Sequence, residues 1–243
     1  MRPAQRIGYG PHPDQYAELT LPAGSASDSR GIVAVVHGGF WKPTYDCALG
    51  RPLAADLAAR GWAVWNLEYR RGVGAAATCG DVAAALVSLR EHAPAHGVSL
   101  SRVVGLGHSA GGHLVAWAAA QPGSPLTHVV AQAGVLDLAA AHREHLGDGA
   151  VEAFLGHPPG AAEAAFDPVA QVPLDVPVRC VHARADDVVP LAQSEEYVAR
   201  ARAAGGDADL LVIEDDLADP HMALVDPDSP AWARTVDLLA GLG

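Results

Sequence analysis

The stretch "RVVGLGHSAGGHL", from Arg102 to Leu114, contains the pattern from which the fold of this sequence can be predicted. Its first half is a short apolar run ending in glycine, typical of a buried β-strand, and the continuation "HLVAWAAAQ" has the apolar spacing of a helix. Between them lies G-x-S-x-G, with Gly107 and Gly111 flanking Ser109. Small flanking residues let strand and helix pass closely around a serine in strained backbone, which is how a nucleophile is presented. The alternative is a strand-ending turn without chemistry.

Five further apolar runs predict strands, and helical patterns lie between most of them. The runs are "GIVAVVHGG", "WAVWNLEY", "THVVAQAG", "VPVRCVHA" and "ADLLVIED". Helices are predicted to begin at Pro52, at a capping Asp81, at Pro190 and at Ser229, which precedes Pro230. The alternating "QYAELTLPAG" near the N-terminus predicts an antiparallel edge strand or hairpin. Strands that alternate with helices predict one α/β domain over 1–243, with a mostly parallel sheet and helices on both faces.

One segment interrupts this alternation. Residues 138–172 are rich in Ala, His, Gly and Pro and hold at most short helices. We therefore predict an insertion at about 138–172, placed to act as a lid over a site.

Composition narrows the classes of protein and partner. The 243 residues are half apolar and carry a formal net charge of −12, which disfavours nucleic acid and anionic membrane as partners. No signal-peptide core or membrane-length apolar run is visible, and three widely separated cysteines suggest reduced thiols, so a cytoplasmic location is expected. Twelve histidines show no metal-ligand spacing, so no metal is predicted.

A second glycine turn, "HGGFW" from His37 to Trp41, follows an earlier predicted strand. Acyl transfer builds negative charge on a carbonyl oxygen, and backbone N–H groups aimed at that oxygen stabilise the transition state by about 3–4 kcal/mol per donor. The main chain approaches a substrate most easily at glycine. The expected donors of this oxyanion hole are the amides of Gly39 and Phe40, with Gly38 as a further candidate and Ala110 as the residue after the nucleophile.

A serine nucleophile needs a base, and the base needs an orienting acid. In α/β folds the acid follows a later strand than the nucleophile, and the histidine follows the strand after that. Asp186 and Asp187 both follow the run "VPVRCVHA", and His221 follows the run "ADLLVIED". Asp186 and Asp187 therefore remain alternatives for the acid. Asp215 and Asp216 are weaker candidates because they lie too near their strand.

Taken together, these motifs resemble those of the α/β-hydrolase superfamily, and most closely those of HGGxW esterases and kynurenine formamidase-like hydrolases. The matching stretches are "VVHGGFWKPTYD", "WNLEYRRG", "GHSAGGHLVAWAA", "HARADDVVP" and "HMALVDPDSPAW", spanning about Val33 to Trp232. The family's acid loop reads H-G-x-x-D-x-x-V-P, so the resemblance implies Asp186 as the acid, with Ala183 in place of the usual glycine. The family's glycine-rich turn before the base is "ADPH" here, and its Pro220 stiffens the loop that carries His221.

The resemblance implies an eight-stranded, mostly parallel sheet and an acyl-enzyme mechanism without a cofactor. The expected partners are a small-molecule ester or formamide and water. Ser109 would attack the carbonyl, His221 would act as base and then acid, and Asp186 would hold the imidazolium. Trp41 and His108 are candidate substrate contacts, and the insertion around Phe154 to Phe166 would line the pocket.

Four functions remain open at this point. A serine carboxylesterase acting on a small or medium ester is the leading hypothesis, and an arylformamidase that cleaves an N-formylkynurenine-like formamide is the alternative. A small peptidase and a non-catalytic binding protein are less favoured, the latter because nucleophile, base, acid and oxyanion elements are all present. The sequence predicts neither the physiological substrate nor the oligomeric state.

Overall fold

The computed structural model describes residues 3–242, except for the side chain of Glu163. Its strands are β1 (Gln5–Gly8), β2 (Tyr16–Thr20), β3 (Ile32–Val36), β4 (Ala63–Leu67), β5 (Val103–His108), β6 (His128–Gln132), β7 (Val178–Ala183) and β8 (Ala208–Ile213). Its α-helices are α1 (Arg51–Ala59), α2 (Ala75–Ala95), α3 (Ala110–Ala119), α4 (Leu138–Arg143), α5 (Leu146–Leu155), α6 (Ala192–Ala203) and α7 (Pro230–Gly241). Short 3₁₀ helices lie at Ala26–Asp28, Cys47–Gly50, Ala161–Ala165, Pro168–Ala170 and Met222–Val225.

The strands form one sheet in the order β1-β2-β4-β3-β5-β6-β7-β8. β1 and β2 make an antiparallel hairpin at one edge, and β2 also pairs antiparallel with β4, while the remaining pairs are parallel. The predicted sheet and hairpin are therefore confirmed. The chain leaves β3 in one direction to form β4 and then returns to the other side of β3 to form β5. Such a reversal opens a crevice at the carboxyl ends of β3 and β5, where ligands bind in sheets of this kind.

Alternate residues of each central strand face two separate cores. Along β3, Val33 and Val35 pack with α1 and α7, whereas Ala34 and Val36 pack with α2 and α3. All four residues are buried. A strand buried on both faces is expected to be a continuous apolar run, which explains why the central strands were visible in the sequence.

The predicted start of the second helix is wrong. α2 begins at Ala75, after Gly74, so Asp81 lies in its second turn instead of capping it. The Asp81 carboxylate accepts hydrogen bonds from the Arg70 guanidinium at 2.7 Å and from Gln15 Nε2 at 2.6 Å. Asp81 thus ties the helix to the loop after β4. The cap predicted at Ser229 is confirmed, because its hydroxyl accepts a hydrogen bond from the Ala231 amide.

The segment 138–172 folds as two short helices, α4 and α5, and two 3₁₀ helices that pack on α3. His113 and Trp117 of α3 each donate a 2.8 Å hydrogen bond from a ring nitrogen to a backbone carbonyl of this segment, at Phe166 and Ala165 respectively. Among residues 3–242, no helix combines the length and the apolar character needed to cross a bilayer.

Candidate active site

Ser109 lies at the sharp turn between β5 and α3. Its backbone has φ 56° and ψ −121°, a conformation that non-glycine residues rarely adopt. The strained peptide is held at both ends, because the Ser109 amide donates to the Gln132 carbonyl at 2.8 Å and its carbonyl accepts from the Gly112 amide at 2.9 Å. A Cβ at Gly107 would collide with the Gly111 carbonyl, and one at Gly111 would collide with the Val36 carbonyl. The two glycines of G-x-S-x-G therefore let the strands and the helix meet at the serine.

The loop after β3 passes directly beside this serine. A Cβ at Gly38 would lie 2.9 Å from the Ser109 Cβ and 2.8 Å from the His108 carbonyl oxygen, so only glycine allows this approach. Within residues 3–242, the amides of Gly39, Phe40 and Ala110 donate no hydrogen bond to another protein group. Unpaired amides from a loop and from a helix N-terminus are the donor set that an oxyanion requires.

A buried carboxylate from the residue that follows β4 holds the beginning of this loop. Glu68, which is 2 % exposed, accepts hydrogen bonds from His37 Nε2 at 3.3 Å and from the Cys47 amide at 2.9 Å. The Arg71 guanidinium pairs with the same carboxylate. Tyr69 stacks on the His37 ring at 4.4 Å and donates its hydroxyl to the His37 carbonyl at 2.7 Å. Burial raises the pKa of Glu68, but hydrogen bonding and charge attraction from His37 outweigh it, so the net pKa is lowered and the group stays ionised.

The sequence interpretation missed Glu68. The available signal was the glutamate of "WNLEY", directly after a predominantly apolar run, where an ionisable residue needs a buried partner.

The loop continues through two strained residues that the 138–172 segment supports. Phe40 and Trp41 have φ values of 49° and 56°, which cost energy in non-glycine residues. The Trp41 ring stacks on Phe154 of α5 with centroids 4.3 Å apart, and Lys42 Nζ donates to the Gly147 carbonyl at 2.9 Å. The 138–172 segment thus supports the loop after β3 through a ring contact and a hydrogen bond.

His221 and Asp186 form a buried pair at the ends of β8 and β7. His221 Nδ1 lies 2.7 Å from Asp186 Oδ2, and because a carboxylate only accepts hydrogen bonds, Nδ1 is the donor. In the neutral ring, Nε2 is then free to accept a proton. Ser109 and His221 line the same cavity. The hydrogen bonds found within residues 3–242 do not include one between Ser109 Oγ and the His221 ring.

Asp186 is fixed more firmly than its neighbour Asp187. Its Oδ1 accepts from the Val188 and Val189 amides, both at 2.9 Å, and it is buried, whereas Asp187 is exposed. Burial raises the pKa of Asp186, but hydrogen bonds from His182 and His221 outweigh it and hold the pKa well below its ordinary value. The carboxylate therefore carries its negative charge throughout the physiological pH range.

His108 lies against the candidate base. Its Nε2 donates to the His221 carbonyl at 3.0 Å, and the two ring centroids are 4.4 Å apart. Burial, followed by the neighbouring His221, lowers the pKa of His108 to about 3, so this ring is neutral.

A cavity of about 130 Å³ adjoins Ser109 and is predominantly apolar. Gly38, Gly39, Phe40, His108 and His221 line it together with side chains from α1 and from Met222–Val225. The prediction that the insertion lines the pocket is wrong, because no residue of 138–172 contributes to this wall. Trp41, the other candidate substrate contact, is buried against Phe154 and His113 and is also absent from the wall. The insertion packs on α3, whereas Leu53 of α1, on the other face of the sheet, lines the cavity.

In the described part of the chain, no group of three or more His, Cys, Asp or Glu side chains is arranged to hold a metal ion. Cys47, Cys79 and Cys180 are buried and unpaired with one another. Burial raises the pKa of the Cys47 thiol to about 12, so it is protonated at neutral pH.

The sheet order and the serine turn between β5 and α3 define an α/β-hydrolase fold. The chain belongs to the BD-FAE family, whose profile matches residues 18–200. No match was found among curated proteins.

Solved structures of esterases share this fold. The native Est2 esterase from the Planctomycetes species Thermogutta terrifontis is 24 % identical, with a TM-score of 0.79 over 98 % of this chain and 90 % of that one. A phosphonate-inhibited esterase B from Lactobacillus rhamnosis is 21 % identical, with a TM-score of 0.83 over 98 % and 84 %. A truncated carbohydrate esterase from gut microbiota is 20 % identical, with a TM-score of 0.81 over 97 % and 94 %.

Proposed function

We propose that this protein is a serine carboxylesterase that cleaves a small or medium ester through an acyl-enzyme intermediate. The observation that carries the proposal is the meeting, at one cavity, of a strained serine, unpaired amides and a buried histidine–aspartate pair. Membership of the BD-FAE family and the esterase names of the similar structures agree with it.

Each group has a chemical role that follows from its geometry. Ser109 Oγ attacks the ester carbonyl as His221 Nε2 takes its proton, and the amides of Gly39, Phe40 and Ala110 receive the oxyanion. Asp186 accepts from Nδ1 and stabilises the imidazolium. His221 then protonates the leaving alcohol and activates water, which releases the acid and restores Ser109.

The cavity supports an ester as substrate better than a formamide. A formyl group carries no carbon beyond its carbonyl, so it would leave most of a 130 Å³ apolar space unfilled. An apolar cavity of roughly 150 Å³ accommodates a molecule as large as benzene. A short acyl chain fills such a space and removes apolar surface from water, which favours its binding.

Active-site labelling and substrate comparison test the proposal. A fluorophosphonate probe should label the native protein and fail to label Ser109→Ala, with thermal unfolding confirming that the variant is folded. p-Nitrophenyl butyrate and p-nitrophenyl acetate should both be hydrolysed, with a higher kcat/KM than N-formylkynurenine.

Two results would contradict it. Absence of labelling in the native protein would point to a non-catalytic binding protein. Formamide turnover hundreds of times faster than ester turnover would make the protein an arylformamidase that uses the same residues.

A further inference from the structure

The peptide that joins Gly38 to Gly39 carries one of the expected oxyanion donors, and its orientation decides whether that donor can act. The peptide is trans and planar, so its C=O and its N–H point in opposite directions. The Gly38 carbonyl accepts a 2.9 Å hydrogen bond from Nδ1 of His37, whose side chain is completely buried. The Gly39 N–H of the same peptide therefore points away from the His37 ring, and Gly39 lines the cavity beside Ser109.

Two consecutive glycines make this peptide easy to turn over. Rotating it by half a turn changes ψ of Gly38 and φ of Gly39, and glycine adopts positive and negative φ about equally readily. Neither glycine can be replaced by a stiffer residue, because a Cβ at Gly38 would collide with Ser109 and one at Gly39 with the Tyr45 side chain. A turned peptide would present the Gly38 carbonyl to the oxyanion in place of the Gly39 amide. The orientation must therefore be held by groups outside the peptide.

The His37 ring is the group that holds this peptide. Among residues 3–242, the bond from His37 Nδ1 is the one hydrogen bond that the Gly38 carbonyl accepts. The ring is itself fixed, because Tyr69 stacks on it with centroids 4.4 Å apart and Glu68 Oε1 lies 3.3 Å from its Nε2. Carbonyl and carboxylate oxygens only accept hydrogen bonds, so both ring nitrogens are donors and the ring is an imidazolium.

The negative charge of Glu68 makes a buried imidazolium possible at this place. A buried cation without a partner would be strongly unfavourable. Glu68 also pairs with the Arg71 guanidinium, which lies 3.8 Å from Asp14 as well, so two carboxylates face two cations. The Cys47 and Tyr69 amides each donate to Glu68 at 2.9 Å and fix its carboxylate. The contacts thus run from a fixed carboxylate through the imidazolium to the peptide.

We propose that His37 and Glu68 are positioning residues that hold the Gly38–Gly39 peptide with its N–H toward the oxyanion. This inference rests on the proposed esterase function. Both residues act through the peptide, since their side chains are buried and bond to protein groups. The charge that the Gly39 amide receives exists only in the transition states and tetrahedral intermediates. Losing the orientation should therefore lower kcat and leave KM unchanged.

Glu68→Gln removes the charge at nearly constant volume. It should lower kcat for p-nitrophenyl butyrate by about 10- to 100-fold, less than the roughly 10²- to 10³-fold lost when an oxyanion donor is removed outright. KM should stay within about twofold. The inhibition constant of a trifluoromethyl ketone, which forms a tetrahedral oxyanion on the serine, should rise by the same factor as kcat falls. Glu18→Gln is the matched control and should change neither value, because the Glu18 carboxylate is also paired with an arginine, Arg51, but belongs to β2.

Two substitutions of His37 distinguish the positioning role from a general packing role. In asparagine the amide nitrogen is attached directly to Cγ, as Nδ1 is in histidine, whereas in glutamine it lies one bond further out, as Nε2 does. His37→Asn can therefore still donate to the Gly38 carbonyl and should keep kcat within about tenfold of the native value, while His37→Gln should lose about 100-fold. Circular dichroism confirms that each variant is folded.

The outcomes separate the two proposals. An unchanged kcat and inhibition constant in folded Glu68→Gln, or equal losses in folded His37→Asn and His37→Gln, would overturn the positioning role while the native protein still hydrolyses the ester. If Glu68→Gln does not fold, the comparison of the two His37 variants decides. If the native protein neither hydrolyses p-nitrophenyl butyrate nor reacts with the fluorophosphonate probe, the esterase proposal itself fails.

Discussion

At the scale of single residues, the proposed mechanism depends on the charge of Asp186, a buried carboxylate. Asp186 receives hydrogen bonds from two backbone amides and from His221, so its position and its ionisation are fixed by the same contacts. Asp187, one residue away, has the same chemistry but is exposed. This difference makes the pair a matched test of what the acid does.

Asp186→Asn should lower kcat for p-nitrophenyl butyrate by about 10³- to 10⁴-fold, because the amide neither stabilises the imidazolium nor enforces the correct tautomer. Asp187→Asn should leave kcat within about twofold. Steady-state kinetics on both variants, with circular dichroism to confirm folding, provide the measurement. Equal losses in the two variants would show that the acid is not Asp186.

The same dependence on environment explains which site residues could be predicted from sequence. Ser109, Asp186 and His221 each belong to a motif whose position relative to a strand is visible in the chain. Glu68 does not, because its contribution comes from burial next to a group that is distant in sequence. The His37 ring contacts the Glu68 carboxylate across 31 residues of sequence. No local pattern records such contacts.

At the scale of elements, apolar runs predicted the central strands well because both faces of each strand are buried. The start of α2 was predicted less well, since "AAATCG" has no apolar periodicity and Asp81 resembles a cap. Its carboxylate instead accepts hydrogen bonds from Arg70 and Gln15, which lie outside the helix. The side of the sheet on which 138–172 packs was also not predictable, because composition does not specify a packing partner.

That segment contains an acid whose protonation should affect its docking. Asp167 is buried; its Oδ1 accepts from the Leu138 amide at 3.1 Å, and burial, with a smaller effect of Asp137, raises its pKa to about 6. An unfolded aspartate titrates near pH 4, so the folded protein binds the proton more tightly between these values. The contribution is therefore fully favourable below about pH 4 and is lost as pH rises to about 6.

Asp167→Asn should raise the melting temperature at pH 7.5 and change it little at pH 4.5, because asparagine keeps the acceptor for the Leu138 amide without the buried charge. The difference between the two pH values corresponds to on the order of 3 kcal/mol for a shift of about two pKa units. Differential scanning fluorimetry of both proteins across this range measures it. Asp175→Asn, at an exposed position nearby, is the control and should change neither value. A parallel shift of Asp167→Asn at both pH values would contradict the assignment.

At the scale of the whole molecule, the sheet positions all four segments that form the candidate active site. The proposed nucleophile, oxyanion loop, acid and base follow β5, β3, β7 and β8, so the parallel strands bring four distant segments to one edge of the sheet. The two cores on opposite faces share the same strands, with Val33 in one and Ala34 in the other. Neither core can open without exposing the strands that support its counterpart.

The protein should consequently unfold in one cooperative transition, with the Gln15–Asp81 hydrogen bond at the hairpin edge, the 138–172 segment and the central sheet lost together. For 243 residues, the enthalpy of unfolding near 60 °C should be about 170 kcal/mol. Differential scanning calorimetry gives this value directly, and agreement between the calorimetric and van't Hoff enthalpies would establish a single transition. Two separable transitions, or a van't Hoff enthalpy well below the calorimetric one, would instead divide the chain into independently folding parts. Ser109→Ala should show the same single transition, because its effect is confined to the chemistry at the turn.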